Sequence, residues 1–155
     1  MTPAPKPEKR GPKPPRRIVR RRTRSRMPKG LAQHRELEKV ADCLWREIVR
    51  AGAGGDPGDK PCERCRMRPG HDAHHLVSRS YRQTRWLPDN GAFLCSNCHR
   101  IVGVDGEENR ALAVRLIGAE RWELLNVQKH FKVKPDPLAA AIALRYEAER
   151  LGVKL

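Results

Sequence analysis

A doubled cysteine pair constrains this chain more than any other feature. Cys62-Glu63-Arg64-Cys65 and Cys95-Ser96-Asn97-Cys98 each set two thiols across a tight turn. Four thiols in two pairs meet the tetrahedral demand of a structural zinc ion and leave no coordination position open for water. Twenty-nine residues separate Cys65 from Cys95. A simple zinc ribbon leaves roughly 15 to 20, so a further element is inserted between the two knuckles. A redox Cys-x-x-Cys pair would not need a second pair, and no βαβ pattern surrounds either one. The fifth cysteine, Cys43, falls inside a helical pattern and reads as a small buried hydrophobe.

The composition explains why a staple is useful. Aromatic residues make up only 5% of the 155. The core of one domain this size is therefore small and aliphatic, and a structural metal is one way to hold it. The net charge is +15 and is unevenly placed. Residues 1–29 carry 12 Lys/Arg against one acid, Glu8, while residues 30–155 carry 21 against 17. A polycation of that density favours nucleic acid or another polyanion, with steep salt dependence. Cysteines in metal spacing argue for a reducing compartment rather than a disulfide framework. No apolar run approaches the roughly 20 residues that span a membrane, and no apolar segment follows the basic N-terminus as in a secretory signal. An intracellular protein with no membrane partner is the expectation.

Four segments follow. Residues 1–29 hold seven of the 13 prolines and read as a disordered basic arm whose Arg20, Arg21 and Arg22 would contact phosphates; the alternative is a solubility or localisation tail. Residues 30–59 hold a helix over 31–51 and a linker. Leu37, Val40, Ala41, Leu44 and Ile48 recur at helical spacing, and Gly52, Gly54 and Gly55 end the pattern. His34 is expected at the surface. Residues 60–103 are the zinc-stapled core. Residues 104–155 are helical: 107–131, broken near Gly118, with Leu112, Leu116, Trp122 and Leu125 inward, then 136–151 with Asp136 as N-cap and Pro137 first. Ala141, Leu144, Ala148 and Leu151 form the last helix's apolar stripe. His130 and Trp122 read as structural.

Between the knuckles, His74-His75 leads into Leu76-Val77, a short β-type run. Gly91-Ala92-Phe93-Leu94 is a second run ending at a thiol, and Ser96 to Arg100 begins a helix. The order is strand, loop, strand, helix, tied by one metal. Cys98 and His99 are about 100° apart on that helix, so Cys98 can face the zinc while His99 faces a separate cleft.

This arrangement resembles the HNH endonuclease family: His-His-Leu-Val, then Asp89-Asn90 ahead of Cys-x-x-Cys-His. The three letters fall on His75, Asn90 and His99. The resemblance implies an α+β fold, a small treble-clef ββα-metal core with a structural zinc, flanked here by N- and C-terminal helices and the arm. It implies a metal-dependent DNA endonuclease leaving 5′-phosphate and 3′-hydroxyl ends. His75 would be the general base. His74, at a position often held by Asp, and His99 would bind a catalytic divalent ion, Mg²⁺, Mn²⁺, Ni²⁺ or Zn²⁺; histidine in place of Asp favours transition metals. Asp72 is a weak third ligand. Asn90 would orient His75 or pin the loop between the strands. Arg79, Arg82 and Arg85 in that loop would flank the cleft and contact phosphates, and Tyr81 could stack on a base, with Trp86 more suited to packing. One difficulty is geometric, because adjacent strand residues point to opposite faces. His74 and His75 converge on one phosphate only if the strand ends or twists there.

Ser78 to Trp86, with Asp89-Asn90-Gly91, also resembles bacteriophage HNH and NinG-like recombination proteins. That implies a bacterial host cytoplasm and other phage DNA-processing proteins as partners. The helices at 31–51 and 136–151 are candidates for a homodimer surface. The rival readings are a non-catalytic zinc-stapled DNA-binding or assembly module and an RNA-binding protein of the ribosome. Both leave His74, His75, Asn90 and His99 without a task. The bland readings are an exposed histidine for His74, a satisfied structural histidine for His75, a turn residue for Asn90 and a helix-surface histidine for His99.

Overall fold

The computed structural model describes residues 29–54 and 59–153. The basic arm, with Arg20, Arg21 and Arg22, and part of the linker lie outside the described residues. Helix α1 runs Lys29–Gly52, within two residues of the expected span. Its buried face holds Ala41, Leu44, Trp45, Ile48 and Val49. Trp45, 1% exposed, takes the centre of that face. Turning Trp45 inward carries Cys43, two residues and about 200° away, out to solvent, where it is exposed. Cys43 is therefore not the small buried hydrophobe its helical setting suggested. Val40 is likewise 48% exposed rather than inward.

Strand β1, Asp72–His75, pairs antiparallel with β2, Gly91–Leu94, in the register Asp72↔Leu94 to His75↔Gly91. The first strand thus starts and ends earlier than the apolar letters suggested. Leu76 and Val77 are buried just beyond its end, so their apolar character serves the core rather than the pleat. A one-turn 3₁₀ helix, Pro88–Asn90, leads into β2. Gly91 is where α1 crosses the hairpin: a Cβ there would overlap the Val49 side chain and meet Trp45 Cζ2 at 3.1 Å.

Helix α2, Ser96–Val104, follows the second knuckle. Helix α3, Gly106–Ile117, starts at Asp105, whose carboxylate accepts from the backbone N–H groups of Glu107 and Glu108 at 3.0 and 3.1 Å. Gly118, at φ 82°, separates it from α4, Ala119–Gln128. Leu112 and Leu125 are buried, and Leu116 and Trp122 pack against the thiol-side cluster as expected. Helix α5, Pro137–Arg150, is capped by Asp136, which accepts from Leu138 N–H at 3.2 Å.

Two apolar clusters result. One joins α1 and α5 with Trp86 and Phe93. The other joins Leu76, Ala92, Leu94 and three thiols with Val102, Leu112 and Ala113. The apolar stripes of α1 and α5 are spent on each other, through Leu44, Ile48, Ala141, Leu144 and Ala148. A homodimer surface on these helices would have to use their outer faces, where Leu138, Ile142 and Tyr146 stay exposed. Leu151, 43% exposed, falls past the helix end and outside the stripe. Among the described residues no helix is long and apolar enough to cross a membrane.

Candidate active site and metal centre

The first knuckle is a turn closed by Arg66 N–H on the Cys62 carbonyl at 2.8 Å, with Arg66 at φ 57°. The second opens α2. Between them they bring the ligand atoms of Cys62, Cys65, Cys95 and Cys98 within 4.8 Å of one another. Tetrahedral zinc with bonds of about 2.3 Å needs sulfurs just under 4 Å apart, so the set fits a single ion. The chemistry of the donors agrees. Burial pushes the Cys98 thiol up to about 12, so four thiolates together there require a cation among them. Cys62 is pushed up by burial, but N–H groups of Cys65, Cys95 and Arg64 and the Cys65 thiol outweigh it and lower it. The knuckle is also clasped from outside. Glu63 accepts from Phe93 N–H at 2.6 Å, Arg115 donates to the Glu63 carbonyl at 2.8 Å, and Arg64 bridges Cys98 Sγ (3.6 Å) and Glu108 (2.7 Å).

The histidine cleft lies across α2 from the thiols. Cys98 faces the metal set, and His99 turns to His74, their rings edge-on with centroids 5.0 Å apart. His74 Nε2 stands 3.3 Å from Asn109 Oδ1, on α3. The Asn109 amide is fixed because its Nδ2 donates to the Leu76 carbonyl at 2.8 Å. His74, His75, His99 and Asn109, with Ser78 and Arg79, line one open cleft of about 570 Å³. The strand ends at His75, which lets adjacent histidines reach the same cleft despite facing different partners. Among the described residues the four cysteines are the only cluster of three or more His, Cys, Asp or Glu ligands within mutual reach. Asp72 therefore does not join His74 and His99 as a third ligand. Asn109 stands beside His74 instead.

His75 is held from the other side. Its ring stacks on Trp45 of α1 at 3.8 Å, 12° from parallel. Its Nε2 is 3.0 Å from the Arg85 carbonyl. A carbonyl oxygen only accepts, so Nε2 carries the proton and Nδ1 keeps the lone pair. Burial lowers the His75 pKa to about 4, against the raising influence of the Arg85 carbonyl and Asp42. Burial lowers His74 too, with His99 adding to that and the Asn109 hydrogen bond opposing it. Both imidazoles are neutral at pH 7.

Asn90 is fully buried. Its Oδ1 accepts from Val77 N–H at 2.6 Å, and its Nδ2 donates to the carbonyls of Val77 and Thr84, both at 2.9 Å. Of the two roles the resemblance offered, this geometry is loop pinning; no hydrogen bond joins Asn90 to His75. The loop arginines divide. Arg85 is committed to Asp42 on α1, Nε to Oδ1 at 2.9 Å and Nη2 to Oδ2 at 2.5 Å. Arg82 pairs with Glu38. These two fasten the loop to α1, which differs from the open phosphate clamps expected of them. Arg79 is exposed and lines the cleft. Trp86 is packed, donating to Asp42 at 2.8 Å, and Tyr81 meets His130 edge-on at 5.9 Å.

Asn109, Trp45 and Asp42 are site residues that sequence patterns do not reveal. Asn109 sits in an acidic helix start with no motif around it. Trp45 lies on a helix whose contact with the hairpin no pattern announces.

Residues 62–104 match the family model of HNH endonucleases. The match covers well under half of the chain, includes both knuckles and all three histidines of the cleft, and stops before Asn109. The match carries nothing about bacteriophage or recombination proteins. No curated protein and no solved structure matches the chain significantly.

Proposed function

We propose that this protein is a metal-dependent DNA endonuclease whose treble-clef core is stapled by zinc on the four cysteines. The observation that carries the reading is the cleft in which His74 and His99 face each other while His75, neutral and held at Nε2, keeps its Nδ1 lone pair. His74, His99 and the Asn109 carbonyl oxygen are the residues that would hold a divalent cation. Adjacent ligands of one octahedral ion lie about 3 Å apart, close to the 3.3 Å between His74 Nε2 and Asn109 Oδ1; a cation there would take the place of the Nε2 proton that Oδ1 accepts, with the ring proton moved to Nδ1. When bound, such a cation stabilises charge on the scissile phosphate and the leaving oxygen.

The chain's own residues do the rest. His75 Nδ1 removes a proton from water as its oxygen bonds to phosphorus. The phosphorus–O3′ bond breaks, and the 3′ oxygen leaves to become a hydroxyl by taking a proton from solvent. Trp45 and the Arg85 carbonyl hold the His75 ring in one tautomer and one plane, which limits the reorganisation needed at reaction. Asn90 acts as a positioning residue, fixing the loop that carries Arg85.

The test is nicking of supercoiled plasmid with Mg²⁺, Mn²⁺, Ni²⁺ or no added divalent ion, beside His75→Ala. Metal-dependent nicking in the parent and its loss in the folded, zinc-loaded variant are expected. Equal activity in the variant removes His75 as the base. No cleavage with any metal, on plasmid or branched DNA, leaves a zinc-stapled binding module.

A further inference from the structure

The histidine cleft does not end at His75. It continues into a second cleft walled by Asp42, Trp45, Arg46 and Arg79, which shares Ala73, His75 and Arg79 with the first. That one shares Arg46 and Ala73 with a third, where Arg50, Lys60 and His71 line the wall. The run continues past Glu47, Arg50 and Lys60 towards the end of α5. A series of adjoining clefts with shared walls, taken together as a furrow, thus leads from the three histidines along α1. Arg46 and Arg50 are one helical turn apart, so both project from the same face, about 6 Å apart along the axis. Both are exposed. Arg46 makes only a long 3.5 Å contact to the Asp42 carbonyl, and no carboxylate pairs with either among the described residues. Among the described residues the acids lining the furrow are Asp42, already engaged by Arg85 and Trp86, and Glu47. Of the three loop arginines that the resemblance assigned to phosphate, Arg82 and Arg85 are meanwhile tied into the fold, and Arg79 alone stays open to the furrow.

We propose that this furrow is the path of the DNA backbone flanking the scissile phosphate, with Arg79, Arg46 and Arg50 binding its phosphates. The inference rests on the nuclease reading for the place of cleavage and adds the surface that holds the strand beside it. It assigns substrate binding to α1, outside the segment that matches the HNH model. A line of cations along a furrow that opens on a cleavage site holds a polyanion in register. Each arginine that neutralises a phosphate releases a counterion, so removing one makes binding less dependent on salt.

The experiment is binding of the full-length, zinc-loaded chain to a fluorescent DNA duplex over a salt series, with no added divalent ion. Arg46→Ala/Arg50→Ala is compared with the parent and with Arg145→Ala/Lys132→Ala, which removes equal charge from exposed positions off the furrow. The furrow variant is expected to bind on the order of tenfold more weakly at low salt, with the slope of log K against log salt shallower by about 2. The off-furrow variant is expected to move the slope by much less. Unchanged binding in the furrow variant, or an equal loss in both, overturns the proposal. Nicking assays keep the two readings apart. A parent that binds with this arginine dependence and never cleaves ends the nuclease reading while the furrow stands. A parent that cleaves with binding indifferent to Arg46 and Arg50 does the reverse.

Discussion

At the scale of single residues, His75 and Asn109 carry the clearest consequences. His75 has an ordinary pKa of 6.5 and is lowered by burial to about 4 in the folded chain. Between those values the unfolded chain takes up a proton that the folded chain refuses. The group's contribution to stability is therefore whole above pH 6.5 and is lost as pH falls towards 4. Urea midpoints of the parent and of His75→Gln, measured from pH 8 to 4, are expected to converge across that window; parallel curves would contradict the burial account. Asn109 offers Oδ1 to the same cleft from outside the HNH match. Asn109→Ala is expected to raise the Mn²⁺ concentration for half-maximal nicking on the order of tenfold, with maximal nicking at saturating metal much less affected. An unchanged half-maximal concentration would confine Asn109 to bracing Leu76. His74, His75, Asn90 and His99 stand out in the sequence because their types and spacing follow the HNH pattern that residues 62–104 match. Asn109 stayed hidden because its place depends on how α3 folds back, which no local pattern encodes.

At the scale of elements, α1 belongs to the site. Periodicity located it within two residues, because a helix with one buried face writes that face into the sequence at every turn. What α1 packs on was not legible, since long-range packing leaves no spacing. Trp45 stacks on His75 and donates its Nε1–H to the Leu87 carbonyl at 2.9 Å, while Asp42 holds Arg85, whose carbonyl holds His75. Trp45→Ala empties the middle of the α1–α5 cluster and is expected to cost about 3 to 5 kcal/mol. Trp45→Phe keeps a ring under His75 and gives up the Leu87 hydrogen bond, about 1 kcal/mol. Denaturant melts should rank the two in that order, and nicking should survive in Trp45→Phe. A Phe variant as stable as expected yet inactive would mean that the indole itself, not the stacking plane, serves the reaction. Strand β1 was the element misplaced. Leu76 and Val77 look like strand letters, but Asn90 binds Val77 on both its N–H and its carbonyl and turns the chain inward there. The pleat falls on Asp72–His75, whose polar letters carry little strand signal.

At the scale of the whole molecule the question is whether the fold outlives its metal. A structural zinc site in a small domain supplies on the order of 10 to 16 kcal/mol of apparent binding energy at neutral pH. The entire net stability of a typical domain is about 5 to 15 kcal/mol. The metal contribution is thus as large as the whole, and the thiol-side cluster is built around three of the ligands. The other cluster is not independent of it. Phe93 packs with α1 and α5, Leu94 beside it packs with the thiols, and Glu63 in the first knuckle accepts from Phe93 N–H. Removing the metal should therefore release the hairpin and loosen the α1–α5 pair in one transition. A strong chelator is expected to lower helical circular dichroism and open residues 60–104 to protease, and added Zn²⁺ should restore both. The same coupling predicts that the midpoint of thermal unfolding rises with free Zn²⁺ concentration. Intact circular dichroism and protease resistance after verified metal removal would mean that apolar packing alone holds the hairpin. The cysteines would then tune a fold that already exists.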